Sequence, residues 1–341
     1  MSYQRLVIAC LVLTAGCAAQ PQRDPARSGS VAGGAVVGQV AGGEVLAPGV
    51  VLLRGAFVPG KQPDGNTVML AGDDGWVVVD SGRHAAHTQR IIDVASASGR
   101  PVTAIVNTHW HLDHVSGNAV LRRTYPGVAV HASGAIEQAL QGFLAEYRKQ
   151  LQAMIESGAG DAAQTAAWRD EVARIDAGAE LVPDVPVTGV GERSVAGRRV
   201  ELGLARDAVT GGDVWLFDPA TRILVAGDLV TLPVPLFDTA CPEQWRAELA
   251  ELESVAFETL VPGHGRPLDR AELGRYRRAF EELLRCAGGT ADARQCIDGW
   301  MTGASGLFEA AEEKLARSLL EYYIGQILRA PVEMRTKYCK S

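Results

Sequence analysis

Short apolar strands alternating with amphipathic helices predict an α/β, or α+β layered, fold for this 341-residue chain. Two observations carry that reading. From residue 50 onward, short apolar runs bounded by Gly, Asp or Asn recur, and stretches of helical periodicity fall between them. The composition agrees: 47% hydrophobic and 21% charged residues is an ordinary globular mixture, which excludes a disordered chain, a collagen-like repeat and a multi-span membrane protein.

Val50–Leu53, Thr67–Ala71 and Trp76–Val79 read as hairpin strands, the last ended by Asp80-Ser81-Gly82. Residues 85–98 have helical spacing, 102–107 form a buried strand, 117–124 a helix and 128–131 a strand. Residues 134–178 read as two amphipathic helices. Leu140, Phe143, Leu144, Tyr147 and Leu151 share one face of the first, Gly158-Ala159-Gly160 breaks the pair, and Trp168, Val172 and Ile175 stripe the second. Strands follow near 197–203, 213–218 and 222–226, with another ending at Val261. From 269 the chain reads as helical, and no internal repeat is present.

Lys and Arg total 33 against 40 Asp and Glu, a formal charge of −7 with no long basic run, so a nucleic-acid partner is not expected. Arg5 precedes the apolar run 6–13 (LVIACLVL), far shorter than the roughly 20 residues of a membrane span. Thr14-Ala15-Gly16-Cys17 resembles the lipobox of bacterial lipoproteins, although Thr14 stands where Leu is commoner. That resemblance implies a signal peptide over 1–16, a lipid at Cys17 and, with Ala18 next, passage to the outer membrane facing the periplasm. An ordinary signal peptide cut nearby is the alternative. Residues 17–46, rich in Gly, Ala, Pro and Ser, bury too little apolar surface to offset ordering entropy and read as a flexible tether. Four cysteines follow. An even number in an exported chain suggests two disulfides, Cys286–Cys296 closing a short loop worth on the order of 2–3 kcal/mol, and Cys241–Cys339 by default. Their spacing matches no zinc ribbon.

The chemistry concentrates in Asn107-Thr108-His109-Trp110-His111-Leu112-Asp113-His114. Four potential ligands lie between a buried strand and a helix, where a loop converges them on one point; His and carboxylate suit zinc and similar ions. His131 reads as a packed strand-end residue, His84 and His87 as a solvated face beside Arg83, and Trp110 as packing that could also touch substrate.

This motif resembles the His-x-His-x-Asp-His loop of the metallo-β-lactamase superfamily, over about residues 50–268. Asp80 after Val77-Val78-Val79, Ala226-Gly227-Asp228 and Val261-Pro262-Gly263-His264-Gly265 match further family motifs in order and spacing. The resemblance implies an αββα sandwich spanning 47–268; the helices at about 134–178, inserted just after the motif-bearing half, are expected over or beside the metal face, shaping the substrate entrance, and 269–341 as a helical extension. One motif departs: Ala208-Val209-Thr210-Gly211-Gly212-Asp213 puts Val209 where the family carries a metal-binding His, and none of the seven histidines lies between 131 and 264. A first metal would take His109, His111 and Asp228 but lack its third His. The second would take Asp113, His114, His264 and Asp228, all present. Asp207 would share the face of Val209 if both lay in a strand.

The resemblance thus implies zinc, with one complete site and at most two ions, and a hydrolase acting on a small molecule. Zinc makes hydroxide available near neutral pH for attack on an ester, thioester, lactone or lactam carbonyl, with Asp113 and Asp228 orienting it or handling its proton. The rival reading is a degenerate, non-catalytic metal-binding or scaffold lipoprotein of the same fold. The membrane would be touched only through the lipid at Cys17.

Overall fold

A computed structural model describes residues 39–40, 42–57 and 61–339. The expected leader, the Cys17 anchor and most of the tether lie outside the described residues.

Two sheets stack face to face. The first holds β1 (Gln39–Val40), β2 (Gly43–Ala47), β3 (Val50–Leu53), β4 (Thr67–Ala71), β5 (Trp76–Val79), β6 (Val102–Val106), β7 (Ala129–Ala132) and β8 (Val185–Pro186), side by side in chain order. Pairing is antiparallel as far as β5 and parallel from β5 to β8. The second, ordered β13-β12-β11-β10-β9, holds β9 (Gly191–Val195), β10 (Arg198–Ala205), β11 (Asp213–Asp218), β12 (Ile223–Thr231) and β13 (Thr259–His264). Of its pairs, β12 with β13 is parallel.

Period-two alternation explains the layering. Val50, Leu52, Val68, Leu70, Val77 and Val79 turn inward and pack against Val200, Leu202, Val214, Leu216 and Val225 of the facing sheet. The intervening Val51, Leu53, Met69 and Val78 turn outward, under Ile91 and Val94 of α1 (Ala85–Ser98) and Leu121 of α3 (Asn118–Thr124); the short α2 (Leu112–Val115) sits between those helices in the chain.

Residues 135–176 form three helices rather than the expected two: α4 (Ala135–Gln141), α5 (Phe143–Glu156) and α6 (Ala162–Asp176). Gly142, with φ −109° and ψ −102°, interrupts the apolar stripe that reads as continuous in the sequence. A reciprocal Asp161–Gln164 capping box starts α6. The tether also ends earlier than expected. Gly43–Ala47 pairs with β3, so its last residues are strand.

Against the outer face of the second sheet lie α7 (Pro242–Ser254), α8 (Arg270–Ala287), α9 (Ala293–Gly303) and α10 (Glu313–Tyr322), then a π-helical turn (Tyr323–Leu328); the short α11 (Val332–Arg335) follows, exposed. Capping boxes Asp269–Glu272 and Asp292–Gln295 start α8 and α9, and Leu273, Tyr276, Phe280 and Leu283 make the buried face of α8. The resulting order, helix–sheet–sheet–helix with a helical C-terminal extension, is the expected αββα sandwich. Both expected disulfides are present, Cys286–Cys296 joining α8 to α9 and Cys241–Cys339 fastening the C-terminal residues to the start of α7. Among the described residues no helix is long and apolar enough to cross a membrane.

His87 corrects the expected solvated face. It is buried, its Nε2 lies 2.8 Å from Thr67 Oγ1, and burial pushes its pKa down to about 4. The unfolded chain therefore binds a proton near pH 6.5 that the folded chain refuses until about pH 4. His87's contribution to stability is intact above pH 6.5 and falls as pH drops through that window, by roughly 3 kcal/mol. His87→Asn should flatten the dependence of urea midpoint on pH between 6.5 and 4; an unchanged slope would assign the acid sensitivity elsewhere.

Candidate metal centre

The ligand positions gather where strands end, the usual place for a site in layered α/β structures. Asp80 ends β5, residues 109–114 follow β6, Asp228 lies in β12 and His264 closes β13. Asp80 occupies the left-handed region (φ 60°), which turns its carboxylate back under the loop. There Oδ1 accepts the Thr108 backbone N–H at 2.8 Å, while Oδ2 accepts the Thr108 hydroxyl and His114 Nδ1–H, each at 2.7 Å. Asn66 pins the other side, its Nδ2 donating to the Pro262 and Gly265 carbonyls at 2.9 Å. Gly263 is required by crowding, since a Cβ there would fall on Asp228 Oδ1.

Hydrogen-bond bookkeeping assigns the histidine tautomers. The Thr108 hydroxyl has one proton, donated to Asp80, so it accepts from His109 Nδ1–H at 2.9 Å and leaves the lone pair on His109 Nε2. His114 gives its Nδ1–H to Asp80, leaving its lone pair likewise on Nε2. Thr239 donates to the Val209 carbonyl and therefore accepts from His111 Nε2–H, both at 2.9 Å, so the His111 lone pair sits on Nδ1.

The freed atoms converge. His109 Nε2, His114 Nε2, His264 Nε2 and both Asp228 oxygens are buried without any hydrogen-bond partner. An unsatisfied buried polar atom costs about 1–3 kcal/mol, and more when charged, so five in one place mark a missing ligand. His114 Nε2 lies 3.3 Å from Asp228 Oδ1 and 3.7 Å from Asp113 Oδ2; His264 Nε2 lies 3.0 Å from Asp113 Oδ2 and 3.6 Å from Asp228 Oδ1. These separations bracket the roughly 3.3 Å between ligand atoms of a tetrahedral ion with 2.0–2.1 Å bonds. On the other side, His109 Nε2 lies 3.6 Å from Asp228 Oδ2. Asp228 thus aims one oxygen at each half, as a bridging carboxylate does. The donor set, imidazole nitrogen plus carboxylate oxygen, fits zinc.

The charge balance agrees. Burial holds His109 well below its ordinary pKa, the neutral form a ligand needs. Burial opposes the charged form of Asp113, yet His114, His264 and Arg83 hold its pKa well below the carboxylate range; for Asp228, burial is likewise outweighed by His114, His264 and His109. Burial lowers His114 less than Asp228, Asp80 and Asp113 raise it, so in the absence of an ion it is the proton on His114 that answers those carboxylates.

Two clusters capable of holding an ion arise among the described residues: His109, His114 and Asp228, and Asp113, His114 and His264. His111 stands beside them rather than in either, its ring 4.5 Å from that of His109. Val209 is fully buried in the apolar core of the second sheet. Asp207 and Val209 lie beyond the end of β10, Asp207 with φ 51°, so the strand periodicity that would have placed Asp207 beside Val209 does not apply. Asp207 joins neither cluster.

Arg83, Glu171 and Thr239 are positioning residues that the sequence reading missed. Arg83 is buried between Glu171 of α6 (2.6 Å) and Asp113 (3.5 Å), so the helical insertion reaches the ligand loop through one guanidinium. Glu171 carried a signal: it is an acid inside the stripe Trp168, Val172, Ile175, where an apolar residue is expected. Glu171→Gln should lower activity about 10–100-fold, as loss of a ligand-orienting partner does, with zinc binding weakened comparably. A variant with unchanged zinc affinity and rate would confine Glu171 to packing.

The family model of the metallo-beta-lactamase superfamily matches residues 61–264, and the chain belongs to that superfamily. It is 22% identical over 235 residues to a linear primary-alkylsulfatase of Pseudomonas sp., covering 64% of this chain and 43% of that protein. It is 45% identical over 58 residues to a hydroxyacylglutathione hydrolase of Gloeobacter violaceus, covering 14% of this chain and 23% of the relative. The chain thus spans less than half the length of either relative. Among solved structures, a double mutant of the sec-alkyl sulfatase PisA1 superposes with a TM-score of 0.57 at 18% identity, covering 84% of this chain and 51% of that one. The DIM-1 metallo-beta-lactamase exposed to ceftazidime gives 0.50 at 16% identity, covering 70% and 95%. At these identities the structural likeness shows the fold.

Proposed function

We propose that the protein is a zinc-dependent hydrolase with one complete ion site, formed by Asp113, His114, Asp228 and His264. The carrying observation is the convergence of buried, partnerless ligand atoms, His114 Nε2, His264 Nε2 and the Asp228 oxygens, beside Asp113. Zinc held there supplies Lewis acidity, acidifying water and polarising the bond under attack. The protein's own part is positional. Asp80 fixes His114 by its Nδ1–H and Thr108 fixes His109, so both rings present lone pairs inward. Arg83 holds Asp113 from behind, and Asp113 and Asp228 are the carboxylates placed to orient the attacking water and accept its proton. Ester, thioester, lactone and lactam carbonyls are the substrate classes that suit this arrangement, and the named activities of the relatives add sulfate esters.

Metal analysis of the purified protein should give about one zinc per chain. Chelation should abolish hydrolysis of a chromogenic panel covering those bonds, and zinc should restore it. Val209 favours the rival reading, a metal-binding scaffold that has lost catalysis. Stoichiometric zinc with no hydrolysis of any panel member would decide for the scaffold. The proposed setting is the outer membrane, facing the periplasm, through a lipid at Cys17. Cys17→Ala should then shift the protein from the membrane to the soluble periplasmic fraction, and a wild type already soluble would contradict the anchor.

A further inference from the structure

The ligand cluster adjoins a cavity of about 930 Å³, within the roughly 300–1,000 Å³ of small-molecule sites. Eight aromatic side chains among the described residues are half-buried, and six of them line this one cavity: Phe57, Phe143, Tyr147, Phe308, Tyr322 and Tyr338. Tyr125 and Trp168 are the other two, and every remaining described aromatic residue is buried. Half-buried rings scattered singly over a surface need no explanation. Rings gathered into one concave space, from the loop after β3, the insertion and the C-terminal extension, do.

Their contacts lead to the ligand loop. Tyr338 meets Phe143 edge-on, with ring centroids 5.6 Å apart; Phe143 meets Trp110 at 5.5 Å, and Trp110 meets His111 at 4.7 Å. Tyr147 lies 6.3 Å from Phe143 on the same helix. Each of these pairs is tilted or edge-on, so none of the rings is stacked flat on another. Such an open aromatic cluster discriminates by ring chemistry. A ring that enters it in offset or edge-on contact gains about two- to tenfold in affinity beyond what its buried area gives, and a saturated ring does not.

We infer that the ligand of this cavity carries a planar aromatic ring system, seated among Phe143, Tyr147 and Tyr338 and next to Trp110. Its role as substrate rests on the hydrolase reading; its binding does not. The purified protein, with and without zinc, is titrated by calorimetry with 2-naphthol and with decahydro-2-naphthol, neutral alcohols that need no metal. Area alone would put the saturated alcohol first, since its apolar surface is the larger. Ring contact should instead make 2-naphthol at least about fivefold tighter. Phe143→Leu and Tyr338→Leu keep apolar bulk but remove a ring, so each should lower that preference at least about twofold. Tyr125→Leu, outside the cavity, should leave it unchanged. If Phe143→Leu does not fold, Tyr338→Leu, at a half-buried position near the C-terminus, decides. Equal affinities, or tighter binding of the saturated alcohol, overturn the inference. So does a preference that survives both cavity variants, because the ring would then sit elsewhere. A naphthol preference lost in those variants, without hydrolysis of any panel member, would sink the hydrolase reading and leave the aromatic site standing. Hydrolysis of a panel member with no aromatic preference in binding would do the reverse.

Discussion

The His264→Ala variant should retain no stoichiometric zinc and lose at least about 100-fold in hydrolytic rate, beyond the 10–100-fold cost of losing a mere ligand-orienting partner. His264 Nε2 lies within 3.6 Å of both Asp113 Oδ2 and Asp228 Oδ1, so its loss leaves two buried carboxylates facing an ion that only His114 still meets with nitrogen. The matched control is His109→Ala. His109 approaches the other Asp228 oxygen, on the side where Val209 replaces the expected third nitrogen, so this variant should keep close to one zinc and most of its rate. The ordering is what the two half-sites require: a complete set tolerates no deletion, and an already incomplete set loses little. Equal zinc loss in both variants, with both folded by circular dichroism, would mean that a single ion is shared across the whole cluster.

The ligand half of this site was legible because the chemistry is local. His109, His111, Asp113 and His114 fall in one loop after a buried strand, whereas Asp228, inside β12, and His264, at the end of β13, were picked out by the resemblance of their glycine-bearing stretches to family motifs. The strands were legible for the same reason, since inward and outward valines alternate along β3 to β5. What escaped was set by tertiary packing. Nothing local distinguishes Arg83 from a surface arginine; its role exists because α6, nearly ninety residues later, delivers Glu171 to it. His87 looked solvated because it sits near a helix start beside His84 and Arg83, yet its side chain meets Thr67 of β4. The stripe across Leu140 to Leu151 concealed Gly142, whose backbone angles end one helix and start another. The cavity that adjoins the ligand cluster is the extreme case. Its walls come from segments scattered between Arg54 and Tyr338, those of the sandwich as well as those of the insertion and the C-terminal extension, so no window of sequence contains it.

Val209→His should raise zinc content from about one toward two per chain. The turn is already held as a ligand position needs. Asp213 accepts the Val209 and Thr210 N–H groups at 3.0 Å and the Thr210 hydroxyl at 2.9 Å, and burial pushes the Asp213 pKa up to about 8. On the other side, Thr239 links the Val209 carbonyl to His111 Nε2, placing residue 209 one hydroxyl away from a ring whose free lone pair is on Nδ1. A nitrogen from residue 209 would join His109 Nε2, His111 Nδ1 and Asp228 Oδ2, completing an imidazole-and-carboxylate set of the kind zinc takes. The substitution has a cost, because Val209 is fully exposed to apolar neighbours and not to water. A larger, polar ring there should destabilise the metal-free protein by about 1–3 kcal/mol. Zinc should recover that loss by binding the folded state alone, so the difference in melting temperature between zinc-loaded and chelated protein should be wider in Val209→His than in wild type. Two tightly bound ions in the wild type would refute the premise, since they would require a ligand at the first half-site that none of His109, His111 and Asp228 accounts for.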